Sequence, residues 1–400
     1  MKPSTKLVLA FSGGLDTTFC AVYLHKEMGY EVHALCVNTG GFSSEELRKM
    51  EQHANRLPLA SFEVANRTQA FYDDCVKYLL FANALKNQTY PLSVSAERVT
   101  QAIAVAEYAN AIGASAIAHG STGAGNDQVR FDMVFSVLCP QIQIITPIRD
   151  LGLSREAEVS YLLAEGIDYN PEKAVYSINK GLWGTSVGGR ETLVSRGVLP
   201  EEAFPVPVSK SESEMCSIRF LKGEPVALNG VELKPVELIQ ALESLAGPFG
   251  IGRDIHVGDT IIGMKGRVGF ASAAAMILLK AHHLLEKHVL TKSQLLTKDQ
   301  LSTWYGHWVH EGQFLDPVMR DIEAFLSQSQ QRVSGEVFVQ LHPYRFVLEG
   351  VKSDFDLMDP RFGSYGESNT LWNGQDVRGF AKIYANQAQI FNQVSVHHEK

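Results

Sequence analysis

Several absences narrow the field before any motif is read. No apolar run reaches membrane-spanning length, so the expectation is a protein without a membrane partner. Basic residues form no cluster: 36 Lys and Arg stand against 44 Asp and Glu, for a net charge of −8. That balance gives no footprint for nucleic acid. Cysteine is scarce, and none of Cys20, Cys36, Cys75, Cys139 and Cys216 lies in a CxxC pair. A zinc knuckle and a dithiol redox motif are thereby excluded, and thiols set in apolar runs read as buried packing. There is no internal repeat and no low-complexity segment. The first residues, MKPSTKLVLAF, lack the plan of a secretory leader, and the expected location is the cytoplasm.

What is present is an alternation. With 400 residues the chain has room for two ordinary domains. Strand-like segments Lys6–Ser12, Glu31–Thr39, Ala60–Val64, Ala114–His119 and Gln143–Ile148 are separated by helix-like ones: Asp16–Met28, Ser43–Arg56, Phe71–Phe81 and Ala96–Ile112. This predicts an α/β fold with a parallel sheet over residues 1–168. The alternation stops after Asn170-Pro171. Short strands at Val257–Met264, Glu336–Leu341 and Arg345–Glu349 then mix with helices at Ala274–Leu290 and Asp316–Gln328, predicting an α+β domain over 172–365. The tail, 374–395, reads as one amphipathic helix (Asp376–Val394) that packs on another subunit.

In a parallel sheet ligands collect at the carboxyl ends of the strands. Three polar, glycine-bearing strings fall there: SGGLDTT, VNTGG and AHGSTGAGND. The first places free backbone N–H groups and a helix dipole before a helix, a ready anion site. Gly13 and Gly14 permit close approach, and Ser12, Thr17 and Thr18 bring hydroxyls. Asp16 suits a phosphate only with a divalent cation between them, which points to Mg²⁺. A tight turn and an N-cap would explain SGG alone, but not the whole string. No Lys-Ser or Lys-Thr closes it, so it is not a Walker loop, and G-x-G-x-x-G is absent. In the third string, Gly123 and Gly125 let backbone approach a nucleotide. Thr122 and Asn126 can bind a carboxylate, Asp127 an ammonium, and Arg130 a carboxylate or a developing phosphate charge.

SGGLDTT resembles the pyrophosphate loop of the N-type ATP pyrophosphatases, which cleave ATP between the α- and β-phosphates. AHGSTGAGNDQVRF resembles the string AHG-[AS]-T-G-x-G-N-D-Q-x-R-F of the argininosuccinate synthases. YPLSVSAER (Tyr90–Arg98), YSINKGLWGTS (Tyr176–Ser186) and IGMKGR (Ile262–Arg267) resemble further segments of that family. The resemblance implies a nucleotide-binding domain of the ATP pyrophosphatase type, an α+β synthetase domain, and a C-terminal oligomerisation helix that favours a homotetramer. It implies ATP with Mg²⁺, joining citrulline to aspartate through a citrullyl-adenylate. By resemblance, Ala10, Phe11, Ser12, Gly13, Gly14, Leu15, Asp16, Thr17, Thr18, Ala34 and Gly120 bind ATP and its pyrophosphate, with Asp16 reaching the metal through the phosphates. Thr122, Asn126 and Asp127 hold aspartate. Tyr90, Ser95, Arg130, Ser177 and Ser186 line the citrulline pocket. Asp16, Asp127 and Arg130 are the catalytic candidates. His119 reads as a packed, hydrogen-bonded histidine.

Some positions depart from the family pattern. Its Asp in Y-S-x-D is Asn179, a Glu two residues past Ser186 is Gly188, and the Glu and Pro of G-x-Y-E-x-P-A are Ala271 and Ala273. The two glutamates serve the α-ammonium of citrulline in the family. Their loss suggests either that Glu191 substitutes or that the substrate is an N-acylated citrulline, with Arg190 free to meet a succinyl carboxylate. Two other readings are a tRNA-thiolating ATP pyrophosphatase and a nucleotide-binding paralog without turnover. The first needs a catalytic cysteine and basic surface that this chain does not show.

Overall fold

Side chains alternating in face along the first strand already set out two layers. In the computed structural model, which describes residues 5–167, 176–363 and 371–398, β1 (Lys6–Ala10) sends Val8 to one face and Leu7 and Leu9 to the other. All three are fully buried, as expected of a parallel strand covered on both sides. Around it lie β2 (Glu31–Asn38), β3 (Ser61–Asn66), β4 (Ala116–Ala118) and β5 (Gln143–Ile145), all parallel, in the order β3-β2-β1-β4-β5. Leu7 sits across from Val32 on one side and Ala116 on the other. The strand order therefore reverses between β1 and β4, and the loops leaving these two strands flank the crevice.

The helices of this layer are α1 (Leu15–Lys26), α2 (Ser44–Ala54), α3 (Thr68–Phe71), α4 (Lys77–Phe81), α5 (Ser93–Ile112), α6 (Asp127–Leu138), α7 (Pro147–Leu151) and α8 (Arg155–Ala164). A π turn over Tyr72–Val76 joins α3 to α4, so the predicted helix 71–81 is present with one widened turn. Ser43 caps α2 in a reciprocal capping box with Glu46.

Two antiparallel sheets follow. The smaller has the order β11-β12-β7-β6, from β6 (Ser177–Gly181), β7 (Gly184–Gly188), β11 (Arg253–Asp259) and β12 (Lys265–Ala271). The larger has the order β10-β9-β8-β13-β14, from β8 (Glu214–Leu221), β9 (Glu224–Leu228), β10 (Val231–Glu232), β13 (Gly335–His342) and β14 (Arg345–Lys352). With them pack α9 (Pro235–Ala246), α10 (Ala273–Val289), α11 (Lys292–Glu311) and α12 (Pro317–Ser329). One apolar core runs through both halves, joining Val8, Phe71 and Val105 to Phe220, Leu278, Tyr305 and Val337. Residues Met1–Ser353 form one compact unit and Asp354–Lys400 a second. The domain boundaries expected at 168, 172 and 365 fall outside the described residues.

Two expectations are corrected. Val257–Met264 is not a strand: β11 ends at Asp259, and the Thr260 N–H donates to Met264 O at 2.7 Å to close a turn. Gly263, with φ +83°, supplies the left-handed residue, and the apolar pair Ile261-Ile262 disguised the turn. The tail is two helices, α13 (Gly374–Tyr384) and α14 (Asn386–His398), rather than one. The second starts at Asn386, a side chain that competes with the helical backbone.

Candidate functional site

The loop between β1 and α1 leaves its first N–H groups open. Gly14 is the N-cap of α1 and no side chain caps the helix. Gly13 has φ +74°, a conformation that favours glycine, and a Cβ there would press on the Met50 side chain, 3.2 Å from its Cγ. Ser12 is exposed, and its Oγ lies 3.3 Å from Thr17 Oγ1. Thr17 Oγ1 also donates to Gly14 O, which ties the loop to the helix it opens. Thr18 is fully buried, and its hydroxyl is occupied by His53 Nε2 at 2.8 Å. Phe11, Leu15 and Ala34 are core residues by their side chains and offer the crevice backbone only, beside the half-buried Ala10.

Asp16 faces a second acid. Glu158 of α8 is buried, has one carboxylate oxygen without a partner, and lies against the Asp16 carboxyl. Burial and the Asp16 charge push Glu158 up to about 8, so it carries the proton the pair shares. Asp16 is itself raised by burial, against the pull of Arg155.

The loop after β4 reaches the same place. A Cβ on Gly120 would stand 3.2 Å from the Asp16 carbonyl carbon and 3.3 Å from Thr17 N, so the two loops touch across the crevice. Thr122 is exposed, and Asn126 spends its Oδ1 on the Ile261 N–H at 2.8 Å, from the β11–β12 turn. His119 is buried, stacked on Phe131, and bonded to Asp132 at 2.9 Å, as the packed reading expects.

The third loop meets the small sheet. Leu182 N donates to Thr39 O at 3.1 Å, and a Cβ on Gly41 would fall 1.9 Å from Lys180 O. Leu92, the N-cap of α5, is a non-glycine residue at φ +65° and fully buried. Tyr90, also buried, stacks on His256 and accepts the Val94 N–H at 3.0 Å.

The charged centre lies between α5, α6 and β6. Asp127 accepts from Arg98 Nε and from Arg130 Nη1, each at 2.9 Å. Arg130 adds Ser95 Oγ at 3.0 Å and the His310 carbonyl at 2.9 Å, and Arg98 reaches Asn179 Oδ1 at 2.6 Å. Asn179 pairs with Ser186 across β6 and β7, and Ser177 with Gly188, so these four share one face of the sheet. Burial alone would raise Asp127, but the two guanidiniums outweigh it and hold the carboxyl below its ordinary range. A carboxylate so held is a poor proton acceptor and a good fixed charge.

Comparison with known proteins decides the family. Residues 6–168 match the profile described as the arginosuccinate synthase N-terminal HUP domain, and residues 176–391 that of the arginosuccinate synthase C-terminal domain. The chain belongs to the argininosuccinate synthase family. The argininosuccinate synthase of Methanocaldococcus jannaschii is 37% identical over 387 residues, covering 96% of this chain and 97% of that protein. That of Methanothermobacter thermautotrophicus is 38% identical, with 97% of each covered, and that of Xanthomonas campestris 36%, covering 98% of this chain and 99% of that protein.

Within that family the departures now have positions. Asn179 is the acceptor for Arg98. Gly188 leaves open the spot opposite Ser177. Ala271 pairs with Thr185, one residue out of step with Ser186, and so belongs to the opposite face of the sheet. The Glu191 carboxylate lies against Gly189, where a Cβ would stand 3.1 Å from it, and one of its oxygens is buried without a partner. Arg190 is 94% exposed, with its Nη2 3.8 Å from Glu191 Oε1. Sequence reading passed over Arg98 and Glu97, although both end the quoted string YPLSVSAER. Glu97 is 2% exposed, accepts from Thr39 Oγ1 at 2.6 Å and Gln101 Nε2 at 2.8 Å, and is pushed by burial up to about 7.

Proposed function

We propose that this chain joins citrulline to aspartate at the expense of ATP, releasing AMP and pyrophosphate. The observation that carries this reading is the contact of the Ser12–Thr18 loop with Gly120, which sets a phosphate cradle beside the Thr122–Asp127 string and the Arg98–Asp127–Arg130 cluster. The ureido oxygen of citrulline attacks the α-phosphorus, and pyrophosphate leaves into the cradle. The amine of aspartate then displaces AMP from the citrullyl-adenylate. Little covalent work falls to the protein, so positioning and charge stabilisation dominate.

The N–H groups of Gly13 through Thr17 and the Ser12 hydroxyl receive the leaving pyrophosphate. Thr122 and Asn126 take a carboxylate of aspartate, with Asp127 as a fixed negative partner for its amine. Tyr90, Ser95, Arg130, Ser177 and Ser186 bound the citrulline pocket, with Arg130 opposing charge that develops in the reaction. Asp16, one carboxylate at a phosphate loop, suits Mg²⁺, which binds through one or two carboxylates and the substrate phosphates. Bound there, the ion would neutralise phosphate charge. The active form is a cytoplasmic homotetramer; no helix among the described residues is long and apolar enough to cross a membrane. Relatives named argininosuccinate synthase match over nearly the whole chain, and this favours free citrulline over an acylated form, a tRNA substrate or loss of catalysis.

Pyrophosphate release measured with ATP, aspartate and citrulline tests the reading, with argininosuccinate identified by mass. Release that depends on both amino acids is expected. No release, or a higher kcat/KM with N-acetyl- or N-succinylcitrulline, overturns it.

A further inference from the structure

Four side chains around the loop after β4 have no part in the reaction above, yet each holds that loop or holds its holder. The Ser121 N–H donates to His119 Nδ1 at 3.2 Å. An accepting Nδ1 leaves the proton of the neutral ring on Nε2, which donates to Asp132 Oδ1 at 2.9 Å. The other Asp132 oxygen accepts from Arg149 Nη1 at 2.6 Å. The same Nη1 lies 3.3 Å from Gln128 Oε1, and Asp150 Oδ1 is 3.6 Å from Arg149 Nε. Gln128 Nε2 in turn donates to Gly123 O at 2.5 Å and Gly125 O at 3.2 Å. The stem of Arg149 runs under the loop, with Cγ 3.6 Å from where a Gly123 Cβ would stand.

The loop is thus gripped at both ends from outside itself. Residues 120–126 include three glycines and no secondary structure, so their conformational freedom is large when unheld. His119 fixes the entry, Gln128 fixes two carbonyls near the exit, and Arg149 joins the two grips through Asp132. Reversing the Gln128 amide would set its oxygen against two carbonyls, so its orientation follows from the network.

We infer that Arg149, with Asp132, His119 and Gln128, is a positioning clamp that holds residues 120–126 in the shape receiving both ATP and aspartate. This rests on the ligase reading above. The clamp touches neither the citrulline face of the small sheet nor Arg130. Its loss therefore weakens two substrates and spares the third.

The test is steady-state kinetics on the full chain for Arg149→Ala, Arg149→Lys and Gln128→Glu, with KM for each substrate measured separately. Each charge-assisted bond removed corresponds to roughly tenfold in affinity. Arg149→Ala and Gln128→Glu are expected to raise KM for ATP and for aspartate about tenfold, with KM for citrulline within about twofold. Arg149→Lys is expected to recover most of the loss, since one amine can meet the acceptors that Nη1 now serves. Hydrogen exchange of the peptide covering 120–126 is expected to quicken in the first two variants without ligand. Unchanged KM values with unchanged exchange overturn the clamp, as does a fall in kcat with all three KM values fixed. If Arg149→Ala does not fold, Gln128→Glu decides by the same criteria. A wild-type chain with no citrulline-dependent pyrophosphate release would instead remove the ligase reading, while the exchange measurement still tests the grip on the loop.

Discussion

Two clusters of charged side chains lie within the 353-residue unit, and their difference separates a core from a site. In the first, Lys298 Nζ meets Glu286 Oε2 at 3.0 Å and donates to Phe81 O at 3.2 Å. Asn83 and Gln330 also donate to Glu286, and His282 bonds to both of them. Lys298, Glu286 and His282 are completely buried, and the network closes on itself across α4, α10 and α11. In the second, Arg98, Asp127 and Arg130 are matched as fully, yet the Asp127 side chain keeps 32% of its surface and glycine loops border it. Charges alone do not mark a site. A charge network left partly open beside backbone that a ligand can approach does.

The core cluster should break hardest. Lys298→Met takes the buried cation from Glu286 and leaves it only neutral donors, and removing one member of such a pair costs about 3–5 kcal/mol. Denaturant unfolding should show that loss. A variant within 1 kcal/mol of wild type would mean that Asn83, Gln330 and His282 suffice without the lysine.

At the rim the corresponding loss falls on turnover. Asp16→Ala should lower kcat about 10²-fold, the scale seen when one stabiliser of developing charge is removed. Stability should hold, because the substitution relieves Glu158 of the neighbouring acid that, with burial, raises its pKa. Near-normal turnover would show that the pyrophosphate is balanced by other groups.

Glu97 stands between the two clusters, buried like the first and incomplete like the second, with Oε2 lacking a partner. Its folded pKa of about 7 exceeds the ordinary 4.5. The folded state therefore holds the proton more tightly, and the stability this gives is full below pH 4.5 and is lost as pH rises through 7. Glu97→Gln, which keeps the neutral shape, should gain about 1–2 kcal/mol over wild type at pH 8, after relaxation discounts the full shift. The gain should fade toward pH 5. Equal Tm differences at both pH values would show that Glu97 ionises without cost.

How far the sequence reveals each region follows from the range of the interactions. The strands of the parallel sheet and the glycine loops were legible because their signals are local: apolar runs, glycines and a helix start. The π turn at Tyr72–Val76 and the turn at Thr260–Met264 were not: no glycine or proline marks the first, and Ile261-Ile262 mask the second. In the site, Asp127 and Arg130 were legible by type, but their mutual pairing and the role of Arg98 depend on α5, α6 and β6 meeting in space. The bond that occupies the Thr18 hydroxyl was hidden for a related reason: its partner His53 lies 35 residues away on α2.

The smallest effect on the single chain, and the largest on its assembly, belongs to the tail. Asn373 caps α13 with a full capping box, so this helix has a defined start, but at 11 residues it is marginal alone. Phe380 is 66%, Ile383 77% and Tyr384 79% exposed on it, at spacings of three and four that place them on one stripe. The proposed homotetramer would cover this stripe with a second copy of the chain. Ending the chain after Trp372 should therefore lower the sedimenting mass, and Ile383→Glu should do so at lower protein concentration. Pyrophosphate release per chain should change far less than in Asp16→Ala, because the loop contacts that build the crevice all lie before residue 353. An unchanged sedimentation profile in both variants would assign assembly to another surface.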